Sequence, residues 1–190
     1  MRNLLKSFLL LVVAAPLAAQ ATQQSSTPAA TPAVPVPVAG EMAPDFTIPW
    51  ADGKGTKSEP LTLSKMRGQV VVLAFYPADF SGGCTIQLSK YRDEYQAIFG
   101  EGVTVVPISR DSLETHTRWV NDKSFPFALG SDTAGAVAKL YGSTGRGKGL
   151  ARNVFVIGKD GKIAYSKVSF NVNAQVGYDE LAAAVAAARK

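Results

Sequence analysis

Beyond residue 40 the chain switches between two hydrophobic rhythms. Residues 69–76, QVVVLAFY, form an unbroken run of β-branched and aromatic side chains, the pattern of a strand buried on both faces. After a proline the period changes: Cys84, Leu88, Tyr91, Tyr95 and Ile98 recur every three or four residues, which predicts a helix over 84–99 that ends at Gly100. Residues 103–109, VTVVPIS, return to the buried-strand pattern. Residues 112–123, SLETHTRWVNDK, predict a second helix capped by Ser112, with Glu114 in its first turn. TAGAVAKLYG predicts a short third helix. NVFVIGKDGKIAYSKV predicts two strands joined at Lys159-Asp160-Gly161-Lys162, where Asp-Gly is a hairpin signal. YDELAAAVAAARK predicts a closing helix with acids first and bases last, as the helix dipole prefers.

The predicted order is β-α-β-α-α-β-β-α. Strand–helix alternation implies parallel pairing, and the closing hairpin adds antiparallel strands. The expected fold class is α/β: a central mixed β-sheet flanked by helices on both faces. This order resembles the thioredoxin-like arrangement.

The start of the chain has a different character. Residues 1–21 carry Arg2 and Lys6, an apolar run from Phe8 to Ala15 and a small-x-small site at Ala19-Gln20-Ala21, which together predict a secretory signal. The apolar run is shorter than the roughly 18 residues of a membrane span, so an uncleaved anchor is the secondary expectation. Residues 22–40 are rich in Ala, Thr and Pro and predict a disordered linker, which assigns 41–190 to the folded domain. The expected location is outside the cytoplasm, periplasmic or extracellular, with a membrane tether only if the leader is retained.

Composition narrows the function. Hydrophobic residues make up 46% and charged residues 18%, an ordinary globular balance. The net charge of +5 includes Arg2 and Lys6, and the densest basic stretch is GRGKGLAR at 145–152. No cluster of bases interleaved with aromatics stands out, so a nucleic-acid surface is not expected. One cysteine excludes an internal disulfide, and with one histidine no metal site or other cofactor is implied. His116 is expected to pack or face solvent, and Trp50 and Trp119 to pack.

The single cysteine sits in YPADFSGGCT, residues 76–85. A strand ends, Pro77 turns the chain, and Cys84 falls in the first turn of a helix. Unpaired N–H groups and the positive end of the dipole there favour thiolate over thiol. Gly82 and Gly83 leave the backbone bare for a small ligand, and Ser81 can present its hydroxyl to the sulfur or to a bound oxygen. By position alone Cys84 is equally a small buried hydrophobe. The Ser-Gly-Gly before it, which weakens a helix start, tips the reading towards chemistry.

The chain resembles the peroxiredoxins, and within them the bacterioferritin-comigratory, or Q-type, branch. Pro77, Ser81 and Cys84 fill the family's pattern of Pro, three residues, Thr or Ser, two residues, Cys. GEMAPDFTIP, FYPADFSGGCT, SRDSLETH and ARNVFVIGKDGKI are similar to the branch as well, so the likeness covers about 40–190. The resemblance implies that Cys84 is the peroxidatic nucleophile and that Ser81 hydrogen-bonds the peroxide. It implies that Pro77 shields the thiolate and that Arg152, otherwise a surface arginine at a strand end, points at the sulfur. A guanidinium there would stabilise charge on the leaving oxygen.

The departures from the branch pattern matter equally. Ser89 stands where many members carry a resolving cysteine, Gln87 where they often carry Glu, and Gly82 where they often carry Pro. The implied form is a one-cysteine peroxidase acting on hydrogen peroxide or small organic hydroperoxides. Its reductant is external: a thioredoxin-like protein, a glutaredoxin-like protein, a small thiol, or Cys84 of a second copy, and a homodimer is left open. The alternative is a non-catalytic redox-sensing or binding module on the same fold. A disulfide oxidoreductase or copper-delivery domain needs a second thiol, which SGGCTIQ does not supply.

Overall fold

Six consecutive residues, Val70–Phe75, are all buried, and they run through the middle of the molecule. The structure is a computed structural model and describes residues 35–147 and 149–190. The expected signal segment and residues 22–34 of the expected linker lie outside the described residues.

Short strands come first: β1 (Thr47–Ile48), β2 (Trp50–Asp52), β3 (Gly55–Thr56) and β4 (Leu61–Thr62), followed by a 3-10 turn at Leu63–Met66. Then come β5 (Val70–Phe75), α1 (Gly82–Asp93), α2 (Tyr95–Ile98), β6 (Val103–Ser109), α3 (Leu113–Lys123), β7 (Leu129–Ser131), α4 (Ala136–Leu140), β8 (Val154–Ile157), β9 (Ile163–Lys167) and α5 (Gln175–Arg189).

The main sheet has the order β3-β2-β7-β6-β5-β8-β9, and β1 pairs with β4 in a separate ribbon. The strands β5, β6 and β7 are parallel, while β8 runs antiparallel to β5 and β9 to β8. The mixed α/β sheet expected from the alternating rhythms is therefore present.

Because successive side chains of a strand point to opposite faces, β5 feeds two cores. Val70, Val72 and Ala74 pack with Leu88 and Tyr91 of α1, Trp119 of α3 and Leu181 of α5. Val71, Leu73 and Phe75 pack with Phe46, Val137 of α4, Tyr141 and Phe155. Helices thus lie on both faces, α1, α2, α3 and α5 on one and α4 on the other, where Phe46 joins it. Val36 packs against this second core, and the Gly40 N–H donates to the Ile163 carbonyl at 2.9 Å.

Three features differ from the expectation. The helix over 84–99 starts earlier, at Gly82, and is two helices broken at Glu94, whose φ of −111° and ψ of 25° leave the helical region. The break lets Ile98 and Phe99 enter the core, where Phe99 meets Tyr91 edge-on at 5.1 Å; packing here outweighs helical continuity. The last helix begins at Gln175, so its first turn holds no acid. Strands β1–β4 and β7 are too short, and β7 (Leu-Gly-Ser) too poor in strand formers, to show a period.

Candidate active site

Antiparallel pairing of β5 with β8 decides where the site lies. Ala74 is opposite Val154, and the Phe75 N–H donates to the Asn153 carbonyl at 2.9 Å. The end of β5 therefore lies beside the start of β8. Pro77 and the loop to α1 leave the first, and Arg152 precedes the second.

Cys84 is in the first turn of α1, fully buried. Arg152 Nη2 donates to Cys84 Sγ at 3.3 Å, and Arg152 Nη1 donates to Gln87 Oε1 at 2.5 Å. The guanidinium fork thus spans one turn of α1, with one branch on sulfur and one on an amide oxygen. Gln87 in turn donates through Nε2 to the Tyr91 hydroxyl at 3.0 Å. Both Gln87 and Tyr91 are fully buried, and burial pushes the Tyr91 phenol up, against a smaller lowering by Gln87 and Arg152. Tyr91 stays neutral, and the positive charge nearest the sulfur has no carboxylate on its Gln87 side.

Gly83 has a local reason. A Cβ there would lie 3.3 Å from Arg152 Nη2, inside ordinary contact. The bare backbone admits the guanidinium. Gly82, by contrast, is exposed and faces nothing within 4 Å of a built Cβ.

Ser81 is the N-cap residue of α1 in an extended conformation, and its side chain makes no cap bond. Its hydroxyl donates to the Ala78 carbonyl at 3.0 Å, which leaves the oxygen free to accept. Pro77 is half-buried against the loop before β8: a Cβ on Gly149 would come within 3.3 Å of the Pro77 carbonyl oxygen. The four residues singled out in the sequence, Pro77, Ser81, Cys84 and Arg152, thus gather at one end of the sheet.

Gln87, Tyr91 and a second buried network were not read from the sequence as site residues. The Tyr76 hydroxyl donates to Asp79 Oδ1 at 2.7 Å, and Asp79 Oδ2 lies 2.8 Å from His116 Nδ1. His116, expected to pack or face solvent, is fully buried and lies within hydrogen-bond distance of Asp79. The signal available was an Asp five residues before the cysteine, which has no period that marks burial, and a His three and four residues before Trp119 and Val120, on the face of α3 that is buried. Trp119 packs against Tyr76, Phe80 and Phe125 as expected of a packing residue. Among the described residues no group of three His, Cys, Asp or Glu could hold a metal ion.

The chain can now be set beside known proteins. The family model described as the AhpC/TSA family matches residues 39–166. The chain is 34% identical over 132 residues to the Coxiella burnetii protein that carries the name peroxiredoxin bcp, a match covering 66% of this chain and 84% of that protein. It is 37% identical over 126 residues to the chloroplast peroxiredoxin Q of Sedum lineare, covering 65% of each. Among solved structures, peroxidoxin BcpB of Mycobacterium tuberculosis superposes with a TM-score of 0.68 at 28% identity, over 81% of this chain and 99% of that one. The matched region runs through β5, the Cys84 helix, Arg152 and β8. The chain therefore belongs to the AhpC/TSA family, on its bacterioferritin-comigratory, or Q-type, peroxiredoxin branch, in a form with a single cysteine.

Proposed function

We propose that this protein is a thiol-dependent peroxidase that reduces hydrogen peroxide or small organic hydroperoxides at Cys84. One observation carries the reading: the sulfur of the chain's single cysteine, at a helix start, receives the Arg152 guanidinium at 3.3 Å. The Cys84 thiolate attacks one oxygen of the hydroperoxide and the O–O bond breaks. Sulfur keeps that oxygen and its hydrogen as a sulfenic acid, and the leaving oxygen takes a proton from solvent and departs as water or alcohol. Arg152 and the N–H groups of the first turn of α1 offset the charge that builds on the leaving oxygen. Ser81 accepts a hydrogen bond from the peroxide, and Pro77 keeps water from the thiolate.

With one cysteine in the chain, the second half of the cycle is intermolecular. An external thiol attacks the sulfenic sulfur, releases water and leaves a mixed disulfide. A second thiol breaks that disulfide and restores Cys84. Thioredoxin-like proteins, glutaredoxin-like proteins and small thiols all fit this chemistry. Until reduction, the sulfenic acid is open to further oxidation. The charged start, apolar run and small-x-small site of residues 1–21 support export to a compartment outside the cytoplasm, and sequencing the N-terminus of the protein recovered from its cells tests that.

The test of the chemistry mixes the reduced full chain with one equivalent of hydrogen peroxide and a sulfenic-acid trap, and follows intact mass. Fast adduct formation that Cys84→Ser abolishes is the expected result. A rate no better than that of free cysteine overturns the reading.

A further inference from the structure

The loop that carries Cys84 is anchored through Asp79. Asp79 Oδ1 accepts from the Tyr76 hydroxyl, Oδ2 faces His116 Nδ1, and the Asp79 N–H donates to Asp111 Oδ2 at 2.9 Å. The next residue, Phe80, has a φ of 56°, a conformation that a residue other than glycine keeps only when its surroundings hold it. Its ring lies 5.8 Å from that of Trp119, with the Arg118 guanidinium 5.6 Å above it. Helix α3 therefore grips the loop through His116, Arg118 and Trp119, and Cys84 follows Phe80 by one turn.

His116 is bound by acceptors on both sides. Nε2 lies 3.2 Å from the Gly130 carbonyl oxygen, which can only accept. Nδ1 faces a carboxylate whose other oxygen already takes the Tyr76 hydrogen. Burial, then the Asp79 charge, pushes the Tyr76 phenol well up, so it stays a donor. Asp111 faces Asp79 from the turn before α3, while Asp52 of β2 is turned away to Lys57 at 2.9 Å. Both ring contacts are made only when two hydrogens are present: one on Nε2 and one shared between Nδ1 and Asp79. With one fewer, a lone pair faces an oxygen lone pair in a site closed to solvent.

We propose that the Asp79–His116 pair is a positioning device for the Cys84 loop, closed while the two groups share two hydrogens and released when one is lost to solvent. The inference rests on the peroxidase reading. Closed, it holds the sulfur beneath Arg152, where it is 0% exposed and a peroxide reaches it more readily than a bulky thiol. Released, it yields the sulfur to an external thiol. His116 and Asp79 are positioning residues and do not touch the reacting atoms.

The chain has one histidine, so imidazole nitrogen NMR on the full chain with labelled histidine gives a single pair of signals. While the pair is closed, hydrogen is expected on Nε2 and in the contact between Nδ1 and Asp79. Over the pH range in which one of the two is lost, Cys84 is expected to react faster with a bulky alkylating reagent relative to a small one. In that ratio the thiolate fraction cancels. The expected rise is about tenfold, the scale of one lost charge-assisted hydrogen bond. In His116→Gln the ratio is high at every pH and the step is gone, while thermal unfolding shows the variant still folded at the assay temperature, which separates the effect from a general loss of stability. A bare Nε2 while Cys84 is still shielded, or a ratio that shows no step in the wild-type chain, overturns the proposal. Both readouts use the wild-type chain and decide the matter even if the variant does not fold. The peroxide rate of the wild-type chain is measured separately: slow reaction with the step intact sinks the peroxidase reading and spares the device, and fast reaction without the step does the reverse.

Discussion

Arg152 and Cys84 are separated by 68 residues in the chain and by 3.3 Å between Nη2 and Sγ. The pairing of β8 with β5 creates that contact, and Gly83 leaves room for it. Arg152→Ala is expected to slow the reaction of Cys84 with peroxide by about a hundredfold or more, the effect of losing one preorganised donor at a developing anion. Arg152→Lys should recover part of the rate, because charge remains but the fork that holds both sulfur and Gln87 is lost. Stopped-flow kinetics under single-turnover conditions measures both.

Gln87 accepts from Arg152 without adding charge. Gln87→Glu would put a carboxylate on the guanidinium within one helical turn of the sulfur. Peroxide reduction is expected to slow about tenfold, because a nearby like charge disfavours the thiolate and draws on the cation. An unchanged rate in the same assay would show that charge at position 87 does not reach the sulfur through Arg152.

Gly83→Ala tests the close approach of the guanidinium. The new Cβ would stand 3.3 Å from Arg152 Nη2 and 3.9 Å from Val172 Cγ2, so the flexible arginine must shift by a few tenths of an ångström. The fold should survive, with a change in stability below about 1.5 kcal/mol. The peroxide rate should fall while thermal unfolding hardly moves.

Gly142 has a different constraint. Its φ is +57°, and a Cβ there would meet Val36 Cγ2 at 2.6 Å and Val36 Cα at 3.2 Å. Gly142→Ala combines left-handed strain with displacement of residue 36, and a loss of about 1–3 kcal/mol is expected in urea unfolding.

Acid should weaken the contact between Asp45 and Ser64. Asp45 is held below the usual carboxylate range by its hydrogen bond with the Ser64 side chain, with further backbone bonds from Ser64 and Phe46 opposing burial. A depressed carboxyl contributes stability that is fully present above its unfolded value of 3.8 and is lost as pH falls through the lower folded value. Asp45→Asn should lower stability at neutral pH and flatten its dependence on pH below 3.8. Thermal unfolding across that range reads both, and an equally steep acid dependence in the variant would remove Asp45 as a source.

Local chemistry along the chain was enough to reveal the central strands, the capped helix after Ser112, the hairpin at Asp160-Gly161 and the placement of Cys84 at a helix start. Each depends on the period of apolar residues or on a cap or turn residue acting within a few positions. The branch pattern, from Pro77 through Cys84 to Arg152, was legible for the same reason: its members are spaced along the chain or attached to recognisable strands. What tertiary structure alone decided has no local period. The break at Glu94 follows from where Ile98 and Phe99 must go. The strands β1–β4 and β7 exist because neighbours pair with them. Gln87 and Tyr91 become site residues only when β8 brings Arg152 over α1, and His116 meets Asp79 only when α3 packs beside the Cys84 loop. A side chain's burial and its partners are properties of the assembled sheet, and a polar residue gives no sign of them in its own stretch of sequence.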